Sequence, residues 1–107
     1  MKLDANFNYL KDMYNDSYYP VFLVDKVKEQ ILIVVHFLES GSHSNEVIQG
    51  KLDEMTIAIN DLQEEFDEHD SEIETVARDS IGTTVEAILH AFKVVIDIET
   101  AIRERDW

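Results

Sequence analysis

The segment SNEVIQGKLDEMTIAINDLQEEF, residues 44–66, carries apolar side chains at Ile48, Leu52, Met55, Ile59, Leu62 and Phe66. Their 4-3-4-3-4 spacing predicts a helix, because residues three and four apart share one helical face. A seam this regular packs along a neighbouring helix at a shallow crossing angle. Ser44 stands just before it as an N-cap, its hydroxyl placed for a free backbone N–H of the first turn. Such a helix is stable only against other apolar faces, and the flanking sequence supplies them.

Upstream, a helix is expected from Pro20 to about Ser40. Leu23 or Val24, Val27, Ile31, Val34 or Val35, and Leu38 recur at helical spacing. Pro20 suits its first turn and Gly41 its end. Phe22, Ile33 and Phe37 fall off this stripe, so the helix is either central or contributes to an interface. Before it, Asp4 can cap a short first helix reaching about Tyr14, with Phe7, Leu10, Met13 and Tyr14 on one side. Downstream, the seam could run on through His69, Ile73 and Val76. Ser71 followed by Glu74 is a capping box, however, and favours a new helix. That fourth helix uses Ile73, Val76 or Ala77, Ile81, Thr84 or Val85, Ile88 and Phe92. Gly82 inside it costs about 1 kcal/mol relative to alanine, and close helix packing is the expected reason. Val94-Val95-Ile96 reads as extended. Asp97 caps a short last helix through Ile98, Ala101 and Ile102, and Trp107 is expected to dock.

The result is an all-α chain: one domain, residues 1–107, with about four main helices and a short C-terminal one. The expected core holds Leu10, Val27, Ile31, Val34, Leu52, Met55, Ile59, Leu62, Phe66, Ile73, Ile81, Ile88 and Phe92. A chain of this size should expose roughly 6,000 Å² once folded. With no cysteine, disulfides, thiolate metal sites and cysteine nucleophiles are excluded. No apolar signal core follows Met1-Lys2. The run from Ile31 to Leu38 is far short of the roughly 20 residues a spanning helix needs, so a cytoplasmic location is expected.

Net charge is −14, and it is concentrated. Residues 45–74 hold Lys51 alone against eleven carboxylates, a net −10. Nucleic acid and anionic lipid are disfavoured as ligands. The acid is either a solvated helix face or a docking surface for a basic partner.

Glu64-Glu65-Phe66-Asp67-Glu68 matches half of the magnesium motif of all-α nucleotide pyrophosphohydrolases, with Glu64, Glu65 and Glu68 as candidate ligands. The second half, E-x-x-D, is missing: Leu89 follows Glu86 at that distance, and Ala77 follows Glu74. Glu65 to His69 and Glu86 to His90 are four apart, not the three of a di-iron bundle. All four tyrosines, Tyr9, Tyr14, Tyr18 and Tyr19, fall within eleven positions. They either roof one end of the core or form a recognition patch. Asp12, Asp16 and Asp25 are candidate acceptors for their hydroxyls or for Arg78, Arg103 or Arg105.

The stretches Tyr9-Leu10-Lys11-Asp12-Met13-Tyr14-Asn15-Asp16-Ser17-Tyr18-Tyr19-Pro20 and Asp70 to Asp79, with the closing Arg103-Glu104-Arg105-Asp106-Trp107, resemble a family of small bacterial proteins of unknown function. The resemblance implies a helical bundle and supplies no activity. The family pattern carries a glycine near Lys93 that this chain lacks. Taken together, the expected function is non-enzymatic: an acidic module, toxin-neutralising or regulatory, docking a basic protein. Glu64, Glu65, Asp67, Glu68, Tyr14, Tyr18, Tyr19 and Trp107 are its candidate contacts. No cofactor is expected. The alternatives are a magnesium-dependent nucleotide hydrolase and a structural homo-oligomer, with a homodimer formed through the second helix.

Overall fold

The computed structural model describes residues 1–107 and contains five helices and no strand: α1 Lys11–Tyr14, α2 Val21–Glu39, α3 Asn45–Glu68, α4 Thr75–Ala91 and α5 Ile98–Ala101. α2 and α3 form an antiparallel hairpin. Ser44 caps α3 as expected, its hydroxyl accepting from the Val47 N–H at 3.2 Å. Twenty-three buried apolar residues form one continuous core, and the folded surface is 6155 Å². Every expected core residue is buried except Leu62 and Phe92, which pack half-buried against it. No helix is long and apolar enough to cross a membrane.

The chain does break between α3 and α4, but not through the expected capping box. Asp70 adopts a left-handed backbone, φ 58°. The Ser71 N–H then reaches the Phe66 carbonyl at 2.9 Å and the Asp70 N–H reaches Asp67 at 3.1 Å. This pair of bonds closes α3 as a Schellman motif. Ser71 is buried, and α4 begins only at Thr75, after Glu74, with no side-chain cap. α4 ends the same way. Lys93 takes φ 57°, Val94 N–H bonds the Leu89 carbonyl at 2.8 Å and Lys93 N–H bonds His90 at 3.0 Å. A lysine thus occupies the left-handed position that glycine fills most easily.

Two further expectations are corrected. The first helix is a single turn, because Leu10 is left-handed at φ 51° and its N–H donates to Thr84 Oγ1 at 3.1 Å. Asp4 instead closes a local turn, accepting from Asn6 N–H at 2.8 Å. Gly82 is not a close-packing site: a Cβ there would meet nothing within 4 Å.

α4 makes its closest backbone approaches to the one-turn helices α1 and α5. Two irregular straps carry those helices. The N-terminal strap follows α2 from end to start. Leu3 N–H bonds Glu39 at 2.9 Å, Lys28 Nζ sits 5.0 Å over the Tyr9 ring, and the Tyr14 hydroxyl donates to Asp25 at 2.6 Å. The C-terminal strap follows α3 from start to end. Asn45 bonds Val95, Gln49 bonds Thr100, Asp53 pairs with Arg103 at 2.7 Å, Asn60 bonds Glu104 and Gln63 bonds Asp106. Asp97 caps α5 by accepting from Glu99 N–H at 3.0 Å.

Candidate docking face

Three contacts set the register of the α2–α3 hairpin. The Phe22 ring stands edge-on to His69 at 5.0 Å, Lys26 Nζ bonds Glu65 at 2.6 Å, and Lys51 Nζ lies 5.4 Å over Phe37. Interpolating between them sets Ile33 level with Ile57. Both isoleucines face solvent, 54% and 47% exposed. The outward side of α3 continues this surface as Val47, two turns before Glu54, and then Glu54, Ile57, Asp61, Glu64 and Glu68 at three-to-four spacing, all exposed. Glu29 is exposed on α2. Glu54 has Lys51 3.9 Å away; Glu29, Asp61, Glu64 and Glu68 have no cation within 4.0 Å. Each helix of the hairpin therefore carries a half-exposed isoleucine at the same level, and exposed carboxylates without a cation lie along the same two helices. An apolar centre with a charged rim is the anatomy of a protein-binding patch.

The sequence-predicted acidic residues do not share one surface. Glu64 and Glu68 lie on the outer face. Glu65 is turned to Lys26, and Asp67 lines a cleft on another side with Gln63, Glu72 and Ile73. No three His, Asp or Glu side chains converge as a metal-ligand set. His69 Nδ1 lies 2.9 Å from the Glu65 carbonyl, and His43 stacks on Phe37 at 3.9 Å.

The tyrosines divide as well. Tyr19 is 2% exposed, its hydroxyl accepting from Ala77 N–H at 3.2 Å, so it is a core residue. Tyr14 is half-buried; desolvation first, then the hydrogen bond and charge of Asp25, raise its phenol above the ordinary value. Tyr18 remains at the surface. Of the candidate arginine pairings, Arg103 goes to Asp53 and Arg105 to Glu99 rather than to the tyrosine region. Trp107 docks half-buried on the core, its Nε1 without an acceptor. Phe22, Ile33 and Phe37 do not form one patch: Phe37 is covered by His43 and Lys51, and Lys26, Glu29 and Gln30 separate Phe22 from Ile33.

The largest cleft, about 520 Å³, lies between the end of α4 and residues 94–98, lined by Leu89, Val94, Ile96 and Ile98 with Glu86, His90 and Lys93. Ile57 was not singled out from the sequence. Its signal was there: an apolar residue two positions off the seam, inside an acidic run.

No curated protein and no solved structure matches the chain. A family model matches residues 3–107. That match spans nearly the whole chain, straps included, and the chain belongs to the family of unknown function DUF5713.

Proposed function

We propose that the protein is a non-catalytic binding module that docks a basic protein segment on the outer face of the α2–α3 hairpin. The observation that carries this is a half-exposed isoleucine on each helix, Ile33 and Ile57, together with Glu29, Asp61, Glu64 and Glu68, none of which has a cation of its own. A buried carboxylate network would point to structure; these charges face water and cost stability through mutual repulsion. An amphipathic basic helix answers both features, laying apolar side chains on the isoleucines and cations on the carboxylates.

The test uses three baits: the wild-type protein, Asp61→Asn/Glu64→Gln/Glu68→Gln, and Ile57→Asp. The wild-type protein should retain a basic protein at low salt and lose it near 0.5 M, where the Debye length falls to about 4 Å. The triple variant and Ile57→Asp should each lose it while staying folded, the triple variant melting at or slightly above the wild-type temperature because like-charge repulsion is relieved. Equal capture by all three baits contradicts the proposal.

A further inference from the structure

Two surface aromatic rings of this chain are capped by its own cations. Lys28 Nζ lies 5.0 Å over Tyr9, and Lys51 Nζ lies 5.4 Å over Phe37. Tyr18 and Phe22 are more open than either, 40% and 47% exposed, and no lysine or arginine of the chain covers them. They share a corner at one end of the bundle. Phe22 stands edge-on to His69, and Tyr18 edge-on to Tyr19 at 5.0 Å with its hydroxyl beside Ser71 and Glu72. Desolvation first, then the charges of Glu74 and Glu72, raise the Tyr18 phenol above its ordinary value. Glu68, Asp70, Glu72 and Glu74 have no cation within 4.0 Å. Val21 and Val76 are exposed beside these connectors. The backbone around the corner is fixed by the Asp70 turn and by Pro20 at the start of α2.

Aromatic faces beside carboxylates are the chemistry that holds a guanidinium or an ammonium group. At Tyr9 and Phe37 a lysine of the chain meets the ring; at Tyr18 and Phe22 none does. We propose that the corner formed by Tyr18 and Phe22 with Glu68, Glu72 and Glu74 takes an arginine or lysine side chain of the basic partner. The inference rests on the docking reading above and names its anchor: one cation held at the corner, with the rest of the segment running along the hairpin face.

The probe is a short arginine-rich peptide, titrated into the isotope-labelled full chain and followed by amide NMR. A control peptide carries citrulline, which is neutral and nearly isosteric, in place of arginine. The arginine peptide should shift residues 18–22 and 68–76, and the citrulline peptide should not. Tyr18→Leu and Phe22→Leu keep apolar bulk and remove the aromatic face. Each should weaken binding about two- to fivefold, with the unbound spectrum showing the fold intact. Shifts confined to Asp61 and Glu64, with the corner silent, overturn this inference and leave the docking face standing. Equal shifts from both peptides, or leucine variants that bind as the wild type does, also overturn it. Silence over the whole hairpin overturns both.

Discussion

Gly82 lies in the middle of α4 with open space where its side chain would be. Neither packing nor backbone requires glycine there, so Gly82→Ala should stabilise the protein by about 0.5–1 kcal/mol. Urea unfolding should show a higher midpoint at unchanged slope, and a lower midpoint would show that the site is packed. Lys93 is the converse case. It pays for its left-handed backbone, φ 57°, and Lys93→Gly should stabilise by up to about 1 kcal/mol in the same assay. Asp53 sets a pH dependence. Desolvation raises its carboxyl, but hydrogen bonds from Arg103 and Gln49 and the Arg103 charge outweigh that and hold it below the ordinary value. A carboxyl lower in the folded than in the unfolded state stabilises fully above the unfolded value, near pH 4, and less as pH falls through the folded one. Asp53→Asn should therefore cost stability at neutral pH and progressively less toward about pH 3. A constant deficit across that range contradicts the assignment.

At the scale of elements, α3 sorts its residues onto three faces. The seam Ile48, Leu52, Met55, Ile59 and Phe66 enters the core. Asn45, Gln49, Asp53, Asn60 and Gln63 hold the C-terminal strap. Glu54, Ile57, Asp61, Glu64 and Glu68 face water. Ile59→Ala should cost about 2–5 kcal/mol; under half a kcal/mol would mean the seam is not buried. α2 and α3 were legible in the sequence because their periodicity, the Ser44 cap and Gly41 all agree. The starts of α1 and α4 were not. The turn at Leu10 depends on Thr84, 74 residues away, and Ser71 resembles a cap locally but is buried by the Asp70 turn. The acidic run was legible as charge. Its division was not, since only the hairpin register turns Glu65 to Lys26 and leaves Glu64 free.

At the scale of the molecule, three long helices are completed by two straps that carry α1 and α5 onto α4. The C-terminal strap is a structural part of the core: Ala101 and Ile102 are buried in it and Trp107 packs against it. Ile102→Ala, close to the chain end, should cost about 2–4 kcal/mol, comparable to Ile59→Ala. A negligible loss would make the strap peripheral. With both flanks of α4 served by straps, the α2–α3 hairpin leaves Glu29, Asp61, Glu64 and Glu68 exposed and without a cation. In the proposed docking, the hairpin's outer face meets a basic partner by long-range attraction followed by apolar contact. The direct measurement is the dissociation constant of the retained partner from about 0.05 to about 0.5 M salt, for the wild type and for Asp61→Asn/Glu64→Gln/Glu68→Gln. Affinity should fall steeply with salt in the wild type and show a weaker, flatter dependence in the variant. Superimposable curves for the two proteins would contradict the proposed docking.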